Sequence, residues 1–291
     1  MVAGALFNVA SSLLVLSIPP VMVQNVSGNG LRMEWAVRKD RTAAPDQATI
    51  TIYNLMPELR MGLQVTPKIP GPVRLALAIG FDGIPDVVFS GEIWKLEAER
   101  RQHNGDILSV IEAGDGAQSA AATPPGGGTL LAVGIQLAIA KILGQLGWTP
   151  TPAAMAEISA KAAACPVQSI QITGERDLQS QLSELLASIG LSWGLSGGRF
   201  VVYSNGVRLD MSNAVILNPM SGLLEWSPVD DDGVRFHALA QARLEPGHPI
   251  TIQDPYQKFA SGVLRVDEVS FDGASDGSST MTGIARPLGG L

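Results

Sequence analysis

Three histidines, one cysteine and a few acidic runs are the side chains of this 291-residue sequence with the most obvious chemical potential. His103, His237 and His248 stand far apart, and none has a second ligand at metal-binding spacing. His103 abuts Asn104-Gly105 and His248 follows Pro246-Gly247, which predicts two solvent-exposed turn residues; His237 falls on a strand beside Phe236. Cys165 is alone, so neither an intrachain disulfide nor a thiolate cluster can form. Its surroundings, Ala162-Ala163-Ala164-Cys165-Pro166, predict a buried structural thiol. Asp230-Asp231-Asp232-Gly233 lacks the alternating ligands and closing glutamate of a calcium loop and reads as a hairpin turn. Asp272 and Asp276 read as turn formers too. Pro124-Pro125-Gly126-Gly127-Gly128-Thr129 precedes a helical pattern but has no Gly-Lys-Ser/Thr ending to reach a phosphate; a linker capped by Thr129 accounts for it. No G-x-S-x-G occurs, and no serine has a histidine at motif-like spacing. Glu97, Glu99 and Glu112 can pair as carboxylates, but no pocket pattern surrounds them. The sequence thus offers no catalytic residue, no cofactor-binding residue and no metal ligand, and the expectation is a protein that is not an enzyme.

The elements that would carry a site are mostly strands. Hydrophobic residues make up 46% of the chain and charged ones 16%, enough for a large core and for a surface that faces other subunits. The length suits two or three domains, and 32 glycines and 19 prolines among short apolar runs indicate many turns. A net charge of −7 argues against a nucleic-acid binder. Val2 to Val23 is uncharged, but the first basic residue is Arg32 and Pro19-Pro20 interrupts the run. Leu13 to Ile18 is strand length and too short to span a bilayer. The expectation is one or two strands there, cytoplasmic synthesis and no membrane insertion.

Leu31, Met33, Trp35 and Val37 alternate with Arg32, Glu34, Ala36 and Arg38, predicting a strand with one buried face. A polar loop around Pro45-Asp46 leads to a second strand over Ala48 to Tyr53. Further strands are predicted over Val73–Ile79, Val87–Leu96 (with Gly91 as a bulge or bend), Leu96–Arg101 and Ile107–Ala113, with turns at Phe81-Asp82-Gly83 and Asn104-Gly105. Gln118 to Gly128 reads as a linker. Thr129 to Leu146 has a helical stripe of Leu131, Ile135, Ala138, Ile142 and Leu146, closed by Gly147. A second helix is predicted from Glu175 to Ile189 with Gly190 as its cap, Gln181 on its wet face, and a strand over Arg199–Tyr203 after it. Strands return at Val215–Leu217, Val234–Leu239, Ile250–Ile252, Val263–Val269 and Thr280–Ala285, with Asp272-Gly273 as a turn. The predicted fold class is mainly β with an α/β insert: a first β-barrel over 1–117, a linker over 118–128, an α/β module with two helices over 129–204 and a second β-barrel over 205–291.

The charged strand, polar loop and "ATITIYNL" strand of Leu31 to Leu59 resemble the opening hairpin of phage baseplate hub proteins, the tail-tube-like hub family of tailed phages and related contractile injection systems. Later phrases agree in order: Pro228, Gly233-Val234-Arg235-Phe236-His237-Ala238-Leu239, Leu244-Glu245-Pro246-Gly247, and Leu264 to Val269 followed by Phe271-Asp272-Gly273. So do two helices that each close on glycine, and a Gly197-Gly198 hairpin before Phe200-Val201-Val202-Tyr203. The resemblance runs from about Leu31 to Pro287. It implies two tail-tube-like barrels and a homotrimer presenting six quasi-equivalent barrels. Such a ring sits in the virion at the tail baseplate. A tail tube or distal tail protein lies above it, a central spike below, the tape-measure protein is a further partner, and DNA passes through the channel without specific binding. An acidic wall would suit that passage. The polar loop around Pro45 would then be an inter-subunit or inter-ring contact. The alternatives are a tail-tip cell-wall hydrolase, with its catalytic domain in Thr129–Tyr203, and a tail-tube or terminator subunit.

Overall fold

Alternation of buried and exposed residues sets the register at the centre of the molecule. A computed structural model describes residues 11–17, 20–26, 29–41, 45–58, 60–61, 74–80, 86–102, 105–115, 130–165, 169–172, 177–204, 207–208, 214–229, 233–254 and 262–288. The first third contributes strands β1 (Ser11–Ser17), β2 (Pro20–Val26), β3 (Asn29–Gly30), β4 (Met33–Asp40), β5 (Gln47–Tyr53), β6 (Arg74–Gly80), β7 (Asp86–Arg101) and β8 (Ile107–Gly114). The middle contributes β9 (Leu130–Val133), α1 (Ile135–Leu146), β10 (Thr149–Pro150), α2 (Pro152–Ala163), β11 (Ser169–Ile172), α3 (Leu178–Ser188), β12 (Leu191–Ser196), β13 (Arg199–Ser204) and β14 (Val207–Arg208). The last third contributes β15 (Val215–Leu217), β16 (Leu223–Val229), β17 (Gly233–Leu239), β18 (Pro249–Ile252), β19 (Leu264–Ala274) and β20 (Ser279–Pro287).

Across β4 and β5, Met33 faces Ile52, Trp35 faces Ile50 and Val37 faces Ala48. All six are buried. A slip of one residue would turn the whole set to solvent, so burial fixes this register. From this hairpin the sheet runs outward both ways, in the order β16-β17-β20-β19-β4-β5-β8-β7-β6-β1-β2-β3, with β18 joined to β19 and β15 to β18. The first and last thirds of the chain therefore meet along β4 and β19, paired antiparallel from Glu268–Asp40 to Ala274–Glu34. Their apolar faces form one contiguous core, from Met33 and Phe89 to Phe236 and Phe271.

Each half contains a glycine where neighbouring strands approach closely. A Cβ on Gly91 would lie 2.6 Å from the Phe89 ring and 2.7 Å from the Gly114 carbonyl oxygen. A Cβ on Gly283 would run into the Phe236 ring and lie 2.8 Å from the Glu268 carbonyl oxygen. Close backbone approach at a strand bend requires glycine in both places. A register shift sits beside each, at Ile93/Lys95 and at Val266/Glu268.

The middle module has a core of its own. α1, α2 and α3 enclose Ile139, Ile142, Leu182 and Leu186 against the β12–β13 hairpin, to which β10 adds a short parallel strand. Trp148, Trp193 and Phe200 pack with ring centroids 5.1 to 6.5 Å apart. The Trp193 indole donates to the Ser183 hydroxyl at 2.9 Å. Mainly β with a small helical module is thus the observed class.

Several expectations need correction. The predicted helix over Thr129–Leu146 starts only at Ile135, because Leu130–Val133 pair as a strand with Ser169–Ile172 and Gly134, at φ 84°, separates the two. Among its described residues the module has three helices, the unforeseen one being α2, whose Thr151 hydroxyl accepts from the Ala154 N–H at 3.2 Å with Pro152 in the first turn. Gln181 is buried at 5% exposure, on the face of α3 that meets the core. Val87–Leu96 and Leu96–Arg101 are a single sixteen-residue strand, β7. Asp272-Gly273 lies inside β19, and the turn comes at Ser275, whose hydroxyl accepts from the Met33 N–H at 2.8 Å. The linker over 118–128, Thr129 and the turns at 81–83 and 230–232 lie outside the described residues. Among the described residues no helix is long and apolar enough to cross a membrane.

Candidate functional site

Polar groups withdrawn from solvent gather where the module's hairpin tip meets the sheet. The tip is Ser196-Gly197-Gly198-Arg199, its two glycines at φ 59° and 76°. The Ser196 hydroxyl donates to Glu245 Oε2 at 2.9 Å, and Glu245 Oε1 receives Lys39 Nζ at 3.3 Å. Lys39 continues the inward phase of Met33, Trp35 and Val37 on β4 and is only 3% exposed. One serine, one glutamate and one lysine thus tie the module, the last third and the first third together.

Two further carboxyls complete the junction. Asp115, at the end of β8, donates its backbone N–H to the Asp46 carbonyl at 2.9 Å, and both side chains are buried. Burial pushes the Asp46 carboxyl up to about 8; Lys39 opposes this, and the nearby Asp115 and Asp40 carboxylates reinforce it. Burial likewise pushes Asp115 up to about 6, against the Gly198 backbone N–H and the more distant charges of Lys39 and Arg74. Neither carboxyl oxygen of Asp115 has a well-formed hydrogen bond. Asp115 lines a cleft of about 380 Å³ together with Arg74, Glu92, Trp148 and Arg199, although its two carboxyl oxygens are themselves sealed from solvent. The Trp148 indole N–H, on the same cleft, has no acceptor. Charged side chains of both signs line this cleft: Arg74 and Arg199 beside Glu92 and Asp115.

A second polar cluster lies on the β4–β19 seam. Asp267 accepts from Arg41 Nε at 3.2 Å, Arg265 Nε at 3.1 Å and Arg286 Nη1 at 2.5 Å. Burial disfavours its charge, but Arg286, Arg41 and Arg265 outweigh burial and hold the carboxyl below its ordinary range.

The residues singled out from sequence are scattered. His237 on β17 places Nδ1 4.0 Å from Glu225 Oε1. His248 is half-buried rather than exposed, because the Pro246-Gly247 turn folds against β19: Gly247 N–H donates to the Val266 carbonyl at 2.7 Å, and Val266 N–H to the His248 carbonyl at 2.9 Å. Cys165 is half-buried at the edge of the module core, since α2 ends just before it. Glu97 pairs with Arg100 at 2.7 Å, Glu99 with Arg101 at 3.0 Å and Glu112 with Lys95 at 2.6 Å, so these carboxylates face cations on the surface. Asp272 is exposed on β19. The Pro45 loop turns Asp46 inward to the junction, while 42–44 and His103 lie outside the described residues. Among the described residues no three metal-ligating side chains gather. Lys39, Asp115 and Glu92 were not predicted as a site; the one signal was a lysine in phase with three apolar residues of β4.

No family model matches the sequence, and a search of curated proteins finds no match. Solved structures do share the fold. A tail protein from Neisseria meningitidis MC58 superposes with a TM-score of 0.61 at 11% identity, over 94% of this chain and 96% of that one. The 43 kDa tail protein of prophage MuSo2 from Shewanella oneidensis gives 0.62 at 10% identity, over 95% and 98%. The E. coli c3393 protein, described as a type VI secretion component similar to T4 tail proteins gp27 and gp5, gives 0.57 at 12% identity, over 88% and 73%. The chain has the fold of phage tail proteins.

Proposed function

We propose that this protein is a structural subunit of a phage tail or phage-like injection device, acting as a baseplate hub. It forms a homotrimeric ring that joins a sixfold tail tube to a threefold spike, leaves a channel for DNA and catalyses no reaction. The observation that carries the reading is the single fourteen-stranded sheet made from two halves, each with a bend glycine and an adjacent register shift. Two similar halves per chain give a threefold ring sixfold contacts, which is what a tube above and a spike below require. Among the described residues the sheet ends at β16 on one side and β3 on the other, and open edges favour pairing with another copy. Leu224 on β16 is exposed, and Met220, just ahead of it, is 95% exposed, as expected of a face that another subunit covers.

Light scattering on purified protein, alone and with the adjacent tube and spike proteins, tests the reading. The expected mass is three times 30.5 kDa. A monodisperse monomer that joins neither neighbour overturns it, and a copy number of six per ring points instead to a tube subunit. Zymography on peptidoglycan is expected to show no lysis; a clear band would assign the hydrolase role.

A further inference from the structure

The face by which the module meets the sheet is largely small and polar. The two hydrophobic cores share no residue. Alternation along β12 and β13 turns Leu191, Trp193, Leu195, Phe200 and Val202 into the module core and leaves Ser192, Gly194, Ser196, Arg199, Val201 and Tyr203 on the other face. That second face abuts the sheet: Ser196 donates to Glu245, and Ser192 lines a cleft of about 460 Å³ with Arg41, Asp267 and Arg286. Only Val201 and Tyr203 bring large apolar side chains to it. Two units with separate cores and a mostly polar contact are free to shift against each other.

What the hairpin tip covers is charge. Lys39, Asp46 and Asp115 are buried and Glu245 nearly so, three carboxyls around one cation. The tip lies directly on Asp115, since a Cβ at Gly198 would stand 3.8 Å from its Oδ1. Asp115 is faced by the Gly198 N–H from the tip, Lys39 on β4, Glu92 on β7 and Arg74 on β6, with Asp46 in the adjoining loop and Arg199 on the same cleft. Lys39 already pairs with Glu245 at 3.3 Å, and Arg74 stands opposite Glu92 in the β6–β7 register. An ionised Asp115 under a seated tip therefore has neither water nor a cation of its own, and lifting the tip returns it to water.

We propose that the junction is a proton-operated latch: protonated Asp115 keeps the Ser196–Arg199 tip seated, and its ionisation lifts the tip and loosens the module while the two halves of the sheet stay joined. The latch works within one chain and stands whether or not the ring forms. Its direction follows from linkage. The seated tip holds the Asp115 proton up to about 6, whereas a solvated aspartate releases it near 3.9, so opening grows as pH rises through that interval and levels off above it.

Cysteine accessibility tests the latch. In a Cys165→Ala background, Val201→Cys places a thiol on the sheet-facing side of β13, where Val201 is 1% exposed. Its labelling rate, relative to a free cysteine peptide at the same pH, is expected to rise about twenty-fold from pH 4.5 to 7.5. Adding Asp115→Asn is expected to leave that rate low and nearly even across the range. Ala285→Cys, in the core of the sheet, is expected to stay unlabelled at both values. In the unmodified chain, protection of the Gly198 N–H from hydrogen exchange should fall by a similar factor, which keeps the test open if Val201→Cys does not fold. A relative rate at Val201→Cys, or a Gly198 protection, that does not change with pH would overturn the proposal. So would the same rise in Asp115→Asn, or labelling of Ala285→Cys as fast as Val201→Cys, since the whole molecule would then be opening.

Discussion

Asp267 on the β4–β19 seam meets three arginines within 3.2 Å, whereas Asp115 at the hairpin-tip junction has no well-formed hydrogen bond to either oxygen. Burial disfavours both charges. The guanidiniums more than reverse that at Asp267, and nothing comparable does so at Asp115, so one carboxyl lies below its ordinary range and the other near 6. The difference separates two jobs. A seam that holds two halves of one sheet gains from complete pairing, since a partly satisfied polar network is costly. A junction that leaves a buried carboxyl incompletely paired gives up stability.

The largest effect is expected at the seam. Asp267→Ala leaves Arg41, Arg265 and Arg286 facing one another around a lost carboxylate. Breaking a buried pair costs about 3–5 kcal/mol; partial exposure of the arginines reduces this to about 2–3 kcal/mol here. Urea unfolding should show a lower midpoint with an unchanged slope. A loss below about 0.5 kcal/mol would mean that the sheet is held by backbone pairing and core alone.

Asp115→Asn is expected to act in the opposite direction. A carboxyl raised from about 3.9 to near 6 opposes folding by about 2–3 kcal/mol at pH 7.5, and the neutral amide removes that penalty. The variant should therefore unfold later than wild type at pH 7.5 and close to it at pH 4.5, where the aspartate is largely protonated in the fold. Destabilisation at both values would show that the ionised form is well solvated.

The same contrast predicts the pH profile. Asp46 and Asp115 hold protons in the fold, up to about 8 and about 6, that the unfolded chain has released by about pH 4. Stability thus falls as pH rises from about 4 to 8, each group contributing a slope of at most about 1.4 kcal/mol per pH unit within its own window. Asp267 works the other way, because its depressed carboxyl stabilises above the unfolded value and loses that contribution as pH falls below about 4. Thermal unfolding should therefore peak near about pH 4, with the alkaline limb flattened in Asp115→Asn and the acid limb in Asp267→Ala.

How much of this could be read beforehand differs between sheet and site. Met33, Trp35 and Val37 against Ala48, Ile50 and Ile52 declared their strands because one face is fully buried and period-two alternation is the direct imprint of that burial. Gly147 and Gly190 marked helix ends for a local reason, since both adopt positive φ. The helix α2 stayed hidden because Ala153, Ala154, Ala156 and Ala160 give almost no apolar stripe; only Thr151-Pro152 announces it. The Leu130–Val133 strand was absorbed into a helical stripe because its partner, Ser169–Ile172, lies far along the chain. The junction was illegible for the same reason on a larger scale: Lys39, Asp46, Asp115, Ser196 and Glu245 come from five separate segments, and no spacing in sequence encodes their meeting.

The smallest expected effect sharpens where the junction's strength resides. Ser196→Ala removes the hydroxyl that donates to Glu245 Oε2 but leaves Lys39 on Oε1. The net worth of such a bond to a charged acceptor is about 1–2 kcal/mol when the acceptor is left bare. Glu245 keeps its lysine and 18% of its side-chain exposure, so the loss should stay near 1 kcal/mol. Because the hydroxyl fastens the module rather than the sheet, hydrogen exchange should rise in β12 and β13 while β4 and β19 stay protected, the pattern of local opening. Uniform acceleration across the sheet would mean that module and sheet open as one unit, and the junction would then be part of the core rather than a hinge beside it.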